Sequence, residues 1–324
     1  MKAVVCREFG PPEKLVIEEW DDPVAGPGQI VIDTRAVAVS FPEALIIEDK
    51  YQFKATPPFV PGGEVAGVVS QVGEGVAEFA VGDAVLGANG VTGGFAEKVL
   101  APAAAARRLP EGLAFDQAAG LQYSYGTGWY ALKHRGSLQP GETLLVTGAA
   151  GNVGLAAVEL GKILGARVIA AASSAEKLAL CKERGADELI DYGKEDLKAR
   201  AKELTGGQGV DVVYDAVGGD LAEAALRAIS WGGRFLVIGF TAGIPRMPLN
   251  LTLLKGCQIV GVFFGALAAR EPDTLRQIQD DLMGLVADGR LVPYVSRRYA
   301  LEETPQAIAD LQQRRARGKL VVTP

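Results

Sequence analysis

The segment Leu144-Leu-Val-Thr-Gly-Ala-Ala-Gly-Asn-Val-Gly154 constrains this chain most: an apolar run leads into glycines at 148, 151 and 154, and a helical pattern follows at once. A strand, tight turn and helix in that order bring backbone N–H groups and the positive end of a helix to one place, which is what a pyrophosphate needs. Gly148 and Gly151 permit the turn and the ligand's approach, and Gly154 lets the helix lie against the strand. Spaced glycines alone are a weak signal, and a glycine-rich structural turn is the competing reading. Context favours the dinucleotide. After Gly141, short apolar runs alternate with helical stretches, the pattern of a parallel sheet covered on both faces. Strands are expected at Thr143–Thr147, Arg167–Ala171, Glu188–Ile190, Val210–Tyr214, Arg234–Ile238 and Gln258–Val262, a six-stranded doubly wound α/β sheet. Val153, Ala156, Ala157, Leu160 and Leu164 mark one face of the first helix. Ser173-Ser-Ala-Glu176 has the spacing of a capping box opening a helix that ends at Gly185.

In such a site the end of the second strand distinguishes ribose hydroxyls from a 2′-phosphate, and an acid there would hold the hydroxyls. Here the chain reads Ala170-Ala-Ala-Ser-Ser-Ala-Glu-Lys177. It offers the hydroxyls of Ser173 and Ser174 and the Lys177 ammonium one turn on, while Glu176 is expected to turn away as the capping partner. That set suits a 2′-phosphate through charge-assisted hydrogen bonds, so the expected cofactor is NADPH. Lys177 as a solvated helix lysine is the plain alternative.

Upstream the texture differs. From Met1 to about Leu121 the apolar residues come in short β-branched runs, Lys2–Cys6, Gln29–Val39, Glu64–Val72, Ala84–Leu86 and Ala96–Leu100, separated by glycine and proline. The end of the chain returns to β-rich sequence, Val292–Ala300 and Lys319–Thr323, around a helix from about Glu302 to Arg315, and is expected to finish in the first domain. A length of 324 residues also favours two domains over one hydrophobic core. The expected division is 1–122 with 290–324 for the β-rich domain and 123–289 for the α/β domain.

A net charge of −6 offers no basic stripe for a phosphate backbone, so nucleic acid is not an expected partner. Nor is a membrane: the most apolar stretch, Ile259–Ala269, is short, carries two glycines and ends at Arg270. The start, Met1-Lys-Ala-Val-Val-Cys-Arg-Glu, has charges where a signal peptide needs an unbroken apolar region, and a cytoplasmic location is expected. Cys6, Cys181 and Cys257 stand far apart and read as reduced, buried thiols. His134, the only histidine, sits on a polar helix end before Gly136, which disfavours histidine-driven nucleophilic catalysis.

Taken with Lys162 beyond it, Gly141-Glu-Thr-Leu-Leu-Val-Thr-Gly-Ala-Ala-Gly-Asn-Val-Gly154 resembles the quinone oxidoreductase (zeta-crystallin) branch of the medium-chain dehydrogenase/reductases. So do Met1-Lys-Ala-Val, Pro61-Gly-Gly-Glu-Val-Ala-Gly-Val-Val, Val81-Gly-Asp-Ala-Val, Gly93-Gly-Phe-Ala-Glu, Val210-Asp-Val-Val-Tyr-Asp-Ala-Val-Gly-Gly and Gly318-Lys-Leu-Val-Val, and the resemblance covers essentially the whole chain. The branch usually has glycine in the place of Asn152 and glutamine in that of Glu159. The resemblance implies a GroES-like β domain built from both chain ends, a Rossmann domain between them, and a homodimer. It implies cofactor contacts at Thr127 near the nicotinamide, at Gly151, Asn152, Val153 and Gly154 on the pyrophosphate, and at Ser174, Lys177 and Tyr192 on the 2′-phosphate. Lys319 matches a basic residue at that same end. Gly239, Phe240, Phe263 and Phe264 resemble the segments flanking the nicotinamide, although Phe263 and Phe264 equally read as core side chains. Zinc-dependent relatives carry a histidine in the motif here reading Gly62-Gly63-Glu64, and a cluster of cysteines. Scattered cysteines with one distant histidine do not make a tetrahedral site, so no metal is expected and Glu64 is left to local hydrogen bonding. At Ser40-Phe-Pro-Glu43 many relatives show Asn first and Asp fourth; Ser40 remains a candidate substrate contact.

The resemblance thus implies an NADPH-dependent quinone reductase acting on a small-molecule quinone. The alternatives are a reductase of 2-enoyl thioesters or other activated alkenes, and a non-catalytic NADPH-binding protein. A quinone gains aromatic stabilisation when it accepts hydride, and solvent can supply the proton. An enolate must instead be stabilised and protonated at carbon, which asks for a placed donor. Tyr51, in Glu48-Asp-Lys-Tyr-Gln-Phe53, matches the active-site tyrosine of the branch and is the candidate for both catalysis and substrate binding. Donating a proton, stacking on a planar quinone and a purely structural role all suit a tyrosine there.

Overall fold

The β-branched runs of the first third build seven strands: β1 (Lys2–Val5), β2 (Val16–Glu19), β3 (Gln29–Val39), β4 (Glu64–Val72), β5 (Ala84–Ala88), β6 (Lys98–Pro102) and β7 (Arg107–Arg108). The computed structural model describes Met1–Pro324 and divides by contact into Met1–Gln122 with Gln279–Pro324, and Tyr123–Ile278. In the first unit β1 and β2 pair antiparallel by themselves. The long β3 pairs β4 on one side and, through Gln29–Asp33, β6 on the other, while β5 joins β4 to β7. Ile30, Ile32, Val37, Val65, Val69, Val85 and Phe95 are fully buried in its core. The β texture read from the sequence conceals short helices here, among them α1 (Phe41–Ile46), capped by Ser40 and Glu43.

The second unit is the doubly wound sheet. Its strands β8 (Thr143–Thr147), β9 (Arg167–Ala172), β10 (Glu188–Asp191), β11 (Val210–Asp215), β12 (Ile229–Val237) and β13 (Gln258–Gly261) pair in parallel in the order β10-β9-β8-β11-β12-β13. All six overlap the expected segments; β12 begins earlier, because Ile229 pairs Val210 across a register shift. Helices α2 (Asn152–Ile163), α3 (Ala175–Glu183), α4 (Leu197–Leu204), α5 (Gly219–Ala228) and α6 (Asn250–Lys255) join them. The order reverses direction between β8 and β11, and the carboxyl ends of strands flanking such a reversal are where this architecture binds ligands.

Helix α7 (Pro272–Ala287) follows, and the division by contact falls inside it rather than at residue 290. Gly289 marks where the helix stops, but its side chains change company earlier: Asp280 already pairs with Arg107 of the first unit at 3.7 Å. The chain then adds β14 (Val295–Ala300), helix α8 (Thr304–Gln312) and β15 (Lys319–Thr323) to the first unit, with β15 antiparallel to Val37–Val39 of β3. The sheet order is β14-β15-β3-β4-β5-β7, with β6 beside β3. Cys6, Cys181 and Cys257 are buried and unbridged, His134 is exposed, and no helix is long and apolar enough to cross a membrane.

Candidate functional site

At the switch point of the second unit, Thr147 ends β8 and the chain turns through Gly148 at a φ of +61°, a left-handed conformation that favours glycine. A Cβ there would also come within 2.8 Å of Val217, just beyond β11. Gly151 caps α2 with its carbonyl, and at Gly154 a Cβ would lie 2.3 Å from the Gly148 oxygen, so helix and turn meet backbone to backbone. Asn152, the first residue of α2, accepts a hydrogen bond from Ser124 Oγ at 2.6 Å, and Val153 beside it is half-buried. Across the switch point the Thr147 hydroxyl donates to Asp215, whose carboxylate also accepts the N–H groups of Val217 and Gly218. Burial pushes the Asp215 carboxyl up, with these donors opposing. The sequence reading missed the Ser124 and Asp215 supports, whose partners lie far apart along the chain.

The other expected cofactor residues of this unit line the same carboxyl edge. Ser173 and Ser174 follow β9, Tyr192 follows β10, Gly239 and Phe240 follow β12, and Phe263 and Phe264 follow β13. Ser174, not Ser173, is the N-cap of α3: its hydroxyl accepts from the Lys177 N–H at 3.4 Å. Glu176 is therefore not in capping-box position; the cap lies one residue later than its spacing suggested. The Lys177 ammonium reaches back to Ser173 Oγ at 3.3 Å, so two hydroxyls and a cation share one corner. An anion rich in acceptor oxygens fits that corner. Phe240 and Phe263 are a little under half exposed, whereas Phe264 packs on Gly126, where a Cβ would come within 2.5 Å of its ring. That contact puts Thr127, the next residue, at the same edge. Glu159, where the branch has glutamine, accepts from Tyr125 Oη at 2.6 Å and is paired with Arg184, a structural tie below the helix end.

In the first unit the structure assembles a second group. Lys319 is corrected by it: the side chain is 4% exposed and Nζ lies 3.2 Å from Ser40 Oγ and 3.9 Å from Glu64, so it is no surface partner for a phosphate. Glu64 also accepts the N–H of Gln122, and Glu43 accepts that of Ser40 at 2.8 Å. Glu43 and Glu64 are buried as fully as Lys319. Burial drives the Glu43 carboxyl up to about 7, opposed by the Lys319 ammonium and reinforced by Glu64. Burial likewise lowers Lys319, against the pull of the two carboxylates. Tyr51 is half-buried, edge-on to Phe53 at 5.8 Å between ring centres. Burial and then the charge of Glu43 raise its phenol to about 12. The Ser40-x-x-Glu43 spacing is a capping box that the sequence reading passed over as a departure from the family motif. No three His, Cys, Asp or Glu side chains converge to hold a metal ion.

Two family models match the chain: an alcohol dehydrogenase GroES-like domain over residues 26–111 and a zinc-binding dehydrogenase over 152–280. The donor set for the metal in the second name is lacking. A quinone oxidoreductase-like protein 2 homolog of Nematostella vectensis is 41% identical over 99% of this chain and 88% of its own. The quinone oxidoreductase of Escherichia coli, solved in complex with NADPH, superposes with a TM-score of 0.92 at 29% identity, covering the whole of both chains. A 2-haloacrylate reductase superposes at 0.86 with 28% identity over 100% of this chain and 99% of its own. With a β-rich unit made from both chain ends and a doubly wound unit made from the middle of the sequence, and with relatives of this closeness, the chain belongs to the quinone oxidoreductase branch of the medium-chain dehydrogenase/reductase superfamily.

Proposed function

We propose that this oxidoreductase is an NADPH-dependent reductase of quinones that uses no metal. The observation that carries the reading is the corner after β9, where Ser173, Ser174 and Lys177 present two hydroxyls and an ammonium to whatever lies at the helix cap. A 2′-phosphate is recognised by such a set through charge-assisted bonds. NADPH in the complex of the Escherichia coli relative supports the same choice. The N–H groups of the Gly148–Gly154 turn and the positive end of α2 would hold the pyrophosphate, and Thr127, Gly239, Phe240 and Phe263 the nicotinamide end. The cofactor, when bound, supplies hydride to an electrophilic carbon. The chain's own part is to hold and orient the reactants and to keep a proton on the Tyr51 phenol oxygen through neutral pH.

The protonated Tyr51 and the 2-haloacrylate reductase among the neighbours favour activated alkenes as the second reading. The deciding experiment follows loss of NADPH absorbance with quinones and with short enoyl thioesters in parallel, and NADH as the control. Quinone turnover with preference for NADPH is expected. Turnover of thioesters alone transfers the assignment to alkene reduction, and silence with every acceptor makes this a binding protein.

Replacing Lys177 by Ala removes the cation from the corner while leaving the Ser174 cap, which uses the backbone N–H of the same residue. A charged hydrogen bond at a half-exposed position is worth about 1.4 kcal/mol, so the NADPH Kd should rise about tenfold. The NADH Kd should not move; parallel titrations by fluorescence quenching decide it, and equal weakening of both cofactors would remove Lys177 from the 2′-phosphate.

We also propose a homodimer through the open edge of the second unit. Strand β13 has no neighbour on one side, and next to it Trp231, Leu249, Leu253 and Leu254 are all at least 66% exposed. Trp231 lies against Gly256 at the end of α6, the helix that carries Leu253 and Leu254. An open strand beside an apolar patch suits a second copy related by a two-fold axis. Leu253→Asp with Leu254→Asp should turn a dimer into a monomer in light scattering after gel filtration. A wild-type monomer would end this reading.

A further inference from the structure

Three arginines and one carboxylate meet in the first unit at a place to which no residue assigned above to cofactor or acceptor belongs. Residues 296–320 carry six basic and three acidic side chains in a chain whose net charge is −6. Strands β14 and β15, helix α8 and the turn after it border a cavity of about 450 Å³, whose lining includes Arg297, Tyr299, Gln306, Asp310, Arg315 and Arg317. Asp310 is buried and organises this group. Its Oδ2 accepts from the Tyr299 hydroxyl at 2.6 Å and from Arg297 Nη1 at 3.3 Å. Its Oδ1 accepts from Gln306 Nε2 at 2.7 Å and from Arg315 Nε at 2.9 Å and Nη2 at 2.5 Å. Its main-chain carbonyl takes the N–H groups of Arg315 and Ala316, because Arg314 turns the chain back at a φ of +58°. Burial alone would raise the Asp310 carboxyl, but the Tyr299, Arg315 and Gln306 donors outweigh it and hold the group below the usual carboxylate range. Arg297 also lies over the Tyr299 ring, 4.6 Å from its centre.

Two of the guanidiniums are therefore fixed in place before any ligand arrives, and the side-chain entropy that an anion would have to take from them is already lost. Their donors are not used up. A guanidinium has five N–H groups, of which Asp310 takes one from Arg297 and two from Arg315. Both side chains line the cavity and are 59% and 49% exposed, so the remaining N–H groups are open to a ligand. Guanidinium forks hold phosphate oxygens in pairs, and a doubly charged tetrahedral anion gains most from several of them at once. The arginines converge on one cavity and do not form a stripe, which fits one phosphate group and not a nucleic-acid backbone. That group alone does not fill the cavity, and Ala316 and Leu320 give it an apolar side for a small organic body. We infer that this cavity binds a small phosphate monoester, with Arg297, Arg315 and Arg317 on the phosphate and Asp310 holding the first two in position. The site is independent of the reductase reading, since neither the glycine turn nor Tyr51 takes part in it.

Titration calorimetry of the full chain at constant ionic strength tests this, with glycerol 3-phosphate and inorganic phosphate as probes, sodium chloride as the control and phosphatidylglycerol vesicles as the lipid arm. The corner of Ser173, Ser174 and Lys177 is the other place for a phosphate, so each titration is repeated on Lys177→Ala. Glycerol 3-phosphate should bind at one site more tightly than inorganic phosphate, and Lys177→Ala should leave that site unchanged. Arg297→Gln and Arg317→Gln should each weaken both probes about tenfold, the worth of a charged hydrogen bond to the anion. Arg315→Gln should weaken them further, but it also strips two bonds from Asp310, so its melting temperature is read alongside. If that variant does not fold, the two exposed substitutions carry the test. Glycerol 3-phosphate should also raise the melting temperature of the wild type and leave that of the Arg297→Gln, Arg317→Gln double variant unmoved. Equal affinity in wild type and in both single variants puts the anion elsewhere and overturns the inference. No heat with either probe up to about 10 mM overturns it too, and makes the arginines a structural tie between α8 and its strands. An ester no tighter than inorganic phosphate removes the organic body, and binding to the vesicles without binding to the ester moves the cluster to a lipid surface; either result overturns the monoester.

Discussion

Tyr51→Phe will lower enoyl thioester reduction by about 10²–10⁴-fold, the range that a positioned general acid supplies, and will leave quinone reduction within a few-fold. The substitution removes one oxygen and keeps the ring, so the edge-on packing with Phe53 and the contacts with the core survive. What it deletes is a proton that is firmly held. Burial and the neighbouring Glu43 both disfavour the phenolate, and with the phenol raised to about 12 it remains a donor across the whole accessible pH range. Any falling limb near neutral pH therefore belongs to another group. The two acceptor classes divide because of where the proton must go. A reduced quinone takes it on oxygen from solvent, whereas an enolate must take it on carbon from a group already in place. The measurement is kcat with each acceptor for both proteins, with NADPH affinity and melting temperature as controls. Equal modest losses on both acceptors would reduce Tyr51 to a packing residue.

The parts of this molecule that were legible in its sequence are those where local chemistry and tertiary environment agree. Thr143–Thr147 is an apolar run closed by a glycine turn, and its limits are those of β8, because the same residues that favour a strand are buried on both faces of the sheet. The chain's return to the first unit was likewise visible as a second β-rich stretch. Helix α1 was not. It has only six residues, too few to show a period, and its one signal, the Ser40 and Glu43 cap, lies where family expectation drew attention to other residue types. The offset at α3 has a similar cause: two adjacent serines both offer a hydroxyl, and only the backbone decides that Ser174 turns inward. Lys319 is the clearest limit. The resemblance sets it among the cofactor contacts, and nothing local shows that its ammonium will be buried against Ser40, 279 positions away. Long-range polar groups of this kind are specified by the assembled sheet, here by β15 lying on β3, and not by neighbours in the chain.

Gly154→Ala should cost both cofactor and fold. An added Cβ would lie 2.3 Å from the Gly148 carbonyl oxygen and 2.9 Å from the Ala149 Cα. Neither is the movable end of a side chain. Relief requires α2 to back away from the turn, which carries the helix's N-terminal N–H groups away from the place where a pyrophosphate would meet them. Overpacking of this kind destabilises by about 1–3 kcal/mol. Displacing two backbone donors to a charged group should weaken NADPH by about 100-fold or more. Gly151→Ala separates the two effects. Gly151 is exposed and sits at a φ of −77°, which alanine adopts freely, and its Cβ would meet nothing closer than 3.3 Å. That variant should melt near wild type yet bind NADPH less well, because the methyl group stands where the backbone is meant to be approached. Thermal melts and fluorescence titrations of the two variants side by side supply the comparison. If Gly154→Ala melts and binds as wild type does, the contact between helix and turn is not what shapes the site. If Gly151→Ala alone loses affinity, the turn serves the ligand and the fold does not depend on it.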